Sequence, residues 1–174
     1  QNETLAHLVR EEVIDWSRVE AFHMDEYIGL KSDAPQQFGI YLKEHIFGLV
    51  PFAGVNYLNG QADDAQEECR RYAALLAEKP VDMVCLGIGE NGHIAFNDPW
   101  VADFNDPEAV KVVKLDEVCR QQQVNDGCFA ALKDVPEYAM SLTIPTLMSA
   151  RHLICTVPAA TKMQAVTNTV QGEI

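Results

Sequence analysis

Basic residues are scarce in this chain: 13 Lys and Arg stand against 26 Asp and Glu, a formal net charge of −13 over 174 residues. Binding nucleic acid takes clustered Lys and Arg to neutralise phosphates, so this composition argues against that class of partner. An anionic substrate must be held by a few well-placed cations against an unfavourable overall field. Long apolar runs are missing too. None approaches the roughly 20 residues of a membrane-spanning helix, and no membrane partner is expected. The five cysteines, Cys69, Cys85, Cys119, Cys128 and Cys155, include no Cys-x-x-Cys pair. An odd, unpaired set suits a reducing, cytoplasmic compartment better than a disulfide framework or a zinc site. Cys85 and Cys155 lie in apolar runs, where a free thiol is expected to behave as a small buried hydrophobe. The first residues, Gln1 to Leu5, lack both an initiator Met and the basic and apolar regions of a secretory signal. They read as the interior of a longer chain. Repeats, low-complexity stretches and linkers are absent, which predicts one domain over residues 1–174.

What is present is an ordinary globular composition, 48% hydrophobic and 22% charged, in a chain long enough to bury a core. Strand-like and helix-like segments alternate. Helices are predicted over residues 2–16, 38–49, 63–78, 118–132 and 160–170. Strands are predicted over 19–23, 55–58, 81–86, 110–115, 139–143 and 153–157. The run 81–86 is continuously apolar, the pattern of a strand buried on both faces. This order predicts an α/β fold with a doubly wound, mostly parallel sheet and helices on both faces, a Rossmann-like three-layer sandwich.

The most informative stretch follows residue 86. Gly87, Gly89 and Gly92 satisfy G-x-G-x-x-G after a strand, with Asp116 beyond the next one, which is close to a dinucleotide fingerprint. That fingerprint needs a helix starting at the loop. The turn signals Asn97-Asp98-Pro99 and Asn105-Asp106-Pro107 leave little room for one, and no cofactor is expected. The other reading is a loop whose glycines bring backbone close to a small ligand while Asn91, His93 and Asp98 project into a crevice. In open α/β sheets such ligands sit outside the carboxyl ends of the strands. Met24-Asp25-Glu26-Tyr27 leaves another predicted strand, so Asp25 and His93 are expected to share that crevice. Singly, each residue is more ordinary: an Asp after a strand is usually a turn former or cap, and a loop His is usually a surface hydrogen-bonding group. His23, Asp25 and His93 offer pieces of a metal hydrolase, but no further ligand set completes a site, so no metal is expected.

Three segments carry a resemblance. Phe22-His23-Met24-Asp25-Glu26-Tyr27-Ile28-Gly29, the loop from Leu86 through His93-Ile94-Ala95-Phe96-Asn97-Asp98-Pro99, and Val157-Pro158-Ala159-Ala160-Thr161-Lys162 follow one another as in the glucosamine-6-phosphate deaminase family, and the chain closely resembles it. The sister 6-phosphogluconolactonases share the Gly-His core but usually carry Asp-Glu-Arg and lack Ile-Ala-Phe-Asn. The resemblance implies ring opening, proton transfer between C2 and C1, and release of ammonia to form fructose 6-phosphate. It implies Asp25 as the proton-transfer base, His93 as the ring-opening acid and base, and Asn91 and Asp98 as the groups that orient the imidazole. It further implies Lys162, and Arg120 as the nearest matching arginine, at the substrate phosphate. Asn91 stands where relatives often have Asp, and Asp98 where they usually have Glu. Either departure suits a different epimer, such as galactosamine 6-phosphate, or a different coupling of isomerisation to deamination. Family members begin with a phosphate-cradling strand and loop ahead of residue 2 and continue past the Lys162 helix, so both are expected to lie outside these 174 residues. A non-catalytic sugar-phosphate sensor and a homo-oligomer both remain open.

Overall fold

The computed structural model describes residues 2–158 and 160–172. The chain runs through α1 (Asn2–Arg10), β1 (Glu20–Phe22), β2 (Asp25–Tyr27), α2 (Phe38–Leu42), β3 (Gly54–Asn56), α3 (Ala65–Glu78) and β4 (Met83–Leu86). It continues through β5 (Val110–Lys114), α4 (Glu117–Asn125), β6 (Tyr138–Leu142), α5 (Ile144–Met148), β7 (His152–Cys155) and α6 (Met163–Gln171). This is a mixed α/β fold.

The sheet differs from the expected doubly wound, mostly parallel one. β1 pairs with β3 and β4 with β7 in parallel, whereas β2, β6 and β5 form an antiparallel sheet in that order. Alternating apolar residues report which face of a strand is covered, not its direction. The connection from β5 to β6 holds a helix, as a parallel crossover also would. The strand order in sequence therefore suggested the wrong polarity here.

α3 shows how sequence becomes packing. Asp64 caps it, its side chain accepting from the Gln66 and Glu67 N–H groups at 2.8 and 3.1 Å, an arrangement typically worth about 1 kcal/mol. Cys69, Tyr72 and Leu76 fall on one face at helical spacing and are buried against Leu58, Val84, Leu86, Val110, Met140 and Leu142. A second cluster joins Tyr27, Phe96, Val113, Leu115, Cys119, Phe129, Val135 and Ala139. It packs α4 and the loop after β4 against the antiparallel sheet.

Two further expectations change. The first helix stops at Arg10 rather than reaching residue 16, and Val13 is 88% exposed. β4 is not covered on both sides: Val84 and Leu86 are buried while Met83 and Cys85 are exposed, and all four residues of its neighbour β7 are exposed. Cys85 and Cys155 are thus surface thiols, not buried ones. The reason is that no described element packs on that face.

Candidate active site

Asp25 opens β2 directly opposite Ser141 of β6, and residues so paired project from one face of the sheet. Tyr27, two residues on, shares that face. Both neighbours show what covers it. The Ser141 Oγ accepts from the Phe96 N–H at 3.1 Å, and the Tyr27 and Phe96 rings lie 5.1 Å apart. The loop after β4 therefore closes over the face from which Asp25 projects. The sequence brought Asp25 and His93 to separate strand ends; Ser141, with no motif to announce it, is where their segments meet.

The His93 end of that loop is a chain of hydrogen bonds. The Asn91 Oδ1 accepts from both the backbone N–H of His93 at 3.1 Å and its Nδ1 at 2.7 Å. The backbone bond fixes the amide orientation, so Nδ1 carries the proton and Nε2 is the basic nitrogen. The other end of the amide, Nδ2, donates to the Asp98 Oδ1 at 2.8 Å. The Asp98 Oδ2 accepts from the Asp116 N–H at 3.1 Å, and Oδ1 lies 3.4 Å from the His93 Nδ1. Burial works to raise the Asp98 carboxyl, but the hydrogen bonds from His93, Asn91 and Asp116 outweigh it and hold it below the usual carboxylate range. An asparagine suits this place. A carboxylate at position 91 would face Asp98 with like charge, whereas the amide accepts at one end and donates at the other.

The glycines have separate reasons. Gly92 has φ +92°, a conformation that glycine adopts without strain. A Cβ on Gly89 would run into the His93 ring, so the imidazole lies flat on bare backbone. Gly87 leads out of β4. No helix starts at the loop. Instead, Ala95 takes φ +51° and a tight turn tied to β6 by the Asn97 side chain leads on, with Asn97 Nδ2 donating to the Leu142 carbonyl at 2.8 Å. Asp116, the acidic residue of the dinucleotide pattern, caps α4.

Asp25 is held from both sides. On one, the buried His23 has its N–H and carbonyl bound by the Tyr72 hydroxyl at 2.7 and 2.8 Å. On the other, the buried Glu26 carboxylate accepts from the N–H groups of Tyr27, Phe38 and Gly39 at 2.9, 3.2 and 2.9 Å, tying β2 to the start of α2. The His23 Nε2 is 3.7 Å from Glu26, too long for a hydrogen bond. Burial pulls its pKa down to about 4, so the pair is not ionic at neutral pH. Burial, and secondarily the charge of Glu26, pushes the Asp25 carboxyl up to about 7.

The cations stand apart. β4 and β7 are parallel and in register to Leu86 and Cys155, so the glycine loop and the turn carrying Lys162 leave the same sheet edge. A cleft of about 400 Å³ separates the loop, at Glu90, Asn91 and Gly92, from Gln164, Ala165, Asn168 and Thr169 along α6. Lys162 immediately precedes that helix and is partly exposed. The Arg120 Nη2 is committed to the carbonyls of Leu132 and Val135 at 2.9 and 2.8 Å. Its Nε is buried without a partner among the described residues. Arg120 is thus half structural, which its place in a polar helix did not reveal. Cys119 beside it, 1% exposed, also went unnoticed. Burial first, then the charges of Asp98, Asp116 and Asp25, raises its thiol to about 12.

An α/β chain with an amide-oriented imidazole on a glycine loop, and a carboxylate at the start of a strand that the same loop covers, belongs to a defined class. The family of glucosamine-6-phosphate isomerases and 6-phosphogluconolactonases matches residues 2–173, and the chain belongs to it. A glucosamine-6-phosphate deaminase of Bacillus cereus (strain G9842) is 38% identical over 165 residues, covering 95% of this chain and 61% of its own length. One from Bacillus thuringiensis (strain Al Hakam) is 37% identical over 164 residues, covering 94% and 61%. The chain thus spans about three fifths of these relatives. Among solved structures, a monomeric glucosamine-6-phosphate deaminase superposes with a TM-score of 0.90 at 31% identity, over 99% of this chain and 72% of that one. A 6-phosphogluconolactonase of Thermotoga maritima superposes at 0.74 with 18% identity, over 99% and 72%, and shares the fold. No helix is long and apolar enough to cross a membrane among the described residues.

Proposed function

We propose that this chain carries the reaction centre of a cytoplasmic enzyme that converts glucosamine 6-phosphate to fructose 6-phosphate and ammonia. The observation that carries the reading is the meeting of the Asp25 strand and the His93 loop at Ser141 of β6. The bare Nε2 of His93 serves ring opening, taking the proton of the C1 hydroxyl and returning one to the ring oxygen. Asn91 and Asp98 fix the tautomer. Asp25 then removes the proton from C2 and delivers it to C1, while a proton given up by the amine goes to the C1 oxygen, leaving an imine at C2. Water adds to that imine and ammonia leaves. A base titrating near 7 is suited to accept and return a proton at neutral pH. Gly87, Gly89 and Gly92 let the loop backbone approach the sugar.

In this reading Lys162 is the cation at the substrate phosphate, a compact point charge on the same edge as the glycine loop. Arg120 supports it with the N–H groups not used on carbonyls. Support comes from the similarity to glucosamine-6-phosphate deaminases at 38% and 31% identity. Galactosamine 6-phosphate is the second substrate to weigh, because Asn91 and Asp98 set the local hydrogen-bond pattern.

The test is ammonia release by the purified protein from each of the two epimers. Faster release from glucosamine 6-phosphate supports the proposal, and faster release from the galactosamine epimer moves it to the second substrate. Binding of both without ammonia would leave a sugar-phosphate sensor. Hydrolysis of 6-phosphogluconolactone in place of either would assign the site to the lactonase branch.

A further inference from the structure

One group near the site has no role in the chemistry above: the buried thiol of Cys119. It lies in the first turn of α4, and the structure places one ligand atom each from His93, Asp98 and Cys119 within 4.8 Å of one another. Some point then lies within about 2.8 Å of all three, against about 2.0–2.3 Å for zinc bonded to nitrogen, oxygen or sulfur, so a contraction of about half an ångström closes the site. The donor set is one imidazole, one carboxylate and one thiolate. That mixture suits a borderline-soft divalent ion and is foreign to calcium or magnesium. Three protein ligands also leave a fourth position for water, as in open zinc sites.

The surroundings favour a cation independently of the donors. Beyond the Asp98 donor itself, Asp116 and Asp25 lie close enough for their charges to act on the Cys119 sulfur, on which burial weighs most, and the chain as a whole carries −13. The second ring of contacts is also in place. The Asp116 N–H holds the Asp98 carboxylate, the kind of outer hydrogen bond that orients a metal ligand, and an ion on the His93 Nδ1, 3.4 Å from that carboxylate, replaces the bond to Asn91 and leaves the ring proton on Nε2. The His93 side chain is 12% exposed while that of Asp98 is fully buried, so the imidazole is the ligand that solvent reaches.

We propose that His93, Asp98 and Cys119 form an inhibitory zinc-binding site, in which a bound ion takes the imidazole that ring opening requires. Binding does not depend on which reaction the site performs; only the inhibition does, so the two readings fail separately.

The probes are Zn²⁺ in calorimetric titration and Co²⁺ in absorption spectroscopy, on purified protein freed of metal. The expected result is one ion per chain and a thiolate-to-cobalt charge-transfer band. Cys119→Ser, which keeps the side-chain volume, should weaken Zn²⁺ binding at least tenfold and abolish the band. It should also keep basal turnover and lose sensitivity to Zn²⁺. A triple variant, Cys85→Ala with Cys128→Ala and Cys155→Ala, removes thiols that are all exposed and should keep both ion and band. With Cys69→Ser added, which leaves Cys119 as the one thiol, the same result decides the matter even if Cys119→Ser fails to fold. Loss of the band in the triple variant, or unchanged Zn²⁺ affinity in folded Cys119→Ser, overturns the proposal. Zn²⁺ that binds as proposed without slowing turnover retains the site and overturns its inhibitory role.

Discussion

Replacing Asp25 by Asn should make the folded protein more stable in alkali and leave it almost unchanged in acid. The Asp25 carboxyl is lifted from 3.8 to about 7, chiefly by burial. The folded state therefore holds this proton more tightly than the unfolded chain does. Between about pH 4 and about pH 7 folding takes up a proton at this site, so its contribution to stability falls as pH rises through that window. Above it, the folded state carries an ionised, desolvated carboxylate. At about 1.4 kcal/mol for each tenfold change in proton affinity, the cost at about pH 8 is on the order of 4 kcal/mol. The amide has no such cost at any pH. Urea unfolding of both proteins at about pH 4 and about pH 8 measures the difference, using midpoints and slopes together. The expected outcome is near-equal stability at the lower pH and a variant more stable by a few kcal/mol at the higher one. Equal stability at both, or a variant weaker at both, would refute the view of Asp25 as a desolvated carboxyl.

Two other substitutions probe the frame around the site. Gly89→Ala puts a methyl where the His93 ring now lies; displacing the imidazole by about 1 Å should lower kcat by about 10²-fold. The far-ultraviolet circular dichroism should be unchanged, and undiminished turnover would contradict the stacking. Tyr72→Phe removes the hydroxyl that binds the His23 N–H and carbonyl and the Asn56 carbonyl at 2.7, 2.8 and 2.9 Å. The His23 N–H keeps the Asn56 carbonyl at 3.1 Å, so the buried His23 carbonyl is the group left unpaired; the loss should be about 1–3 kcal/mol in chemical denaturation, and a change under about 0.5 kcal/mol would show that the joint between β1 and β2 has other support.

Local signals were legible where one segment alone fixes the outcome. The α3 helix announces itself by Asp64 and the spacing of Cys69, Tyr72 and Leu76. The glycine loop, with Asn91, His93 and Asp98, is readable because backbone approach and turn chemistry are both local. What the sequence left hidden depends on partners far along the chain. Pairing of β2 with β6 is a contact across more than a hundred residues, and no periodicity states its direction. Ser141 looks like any strand serine until the loop from β4 reaches it. Cys119 looks like a core thiol, and only the fold sets it beside His93 and Asp98. Met83, Cys85, Leu153 and Ile154 read as core because they are apolar, yet burial needs a covering element, and none of the described ones packs there.

The central claim is that one carboxylate, from Asp25, moves the proton between two adjacent carbons of the sugar. Incorporation of deuterium at C2 of glucosamine 6-phosphate in D₂O, followed by proton NMR, reports that step directly. The account predicts ready exchange by the unaltered protein and a rate lower by about 10²–10⁴-fold in folded Asp25→Asn. Exchange at an undiminished rate in that variant would contradict it.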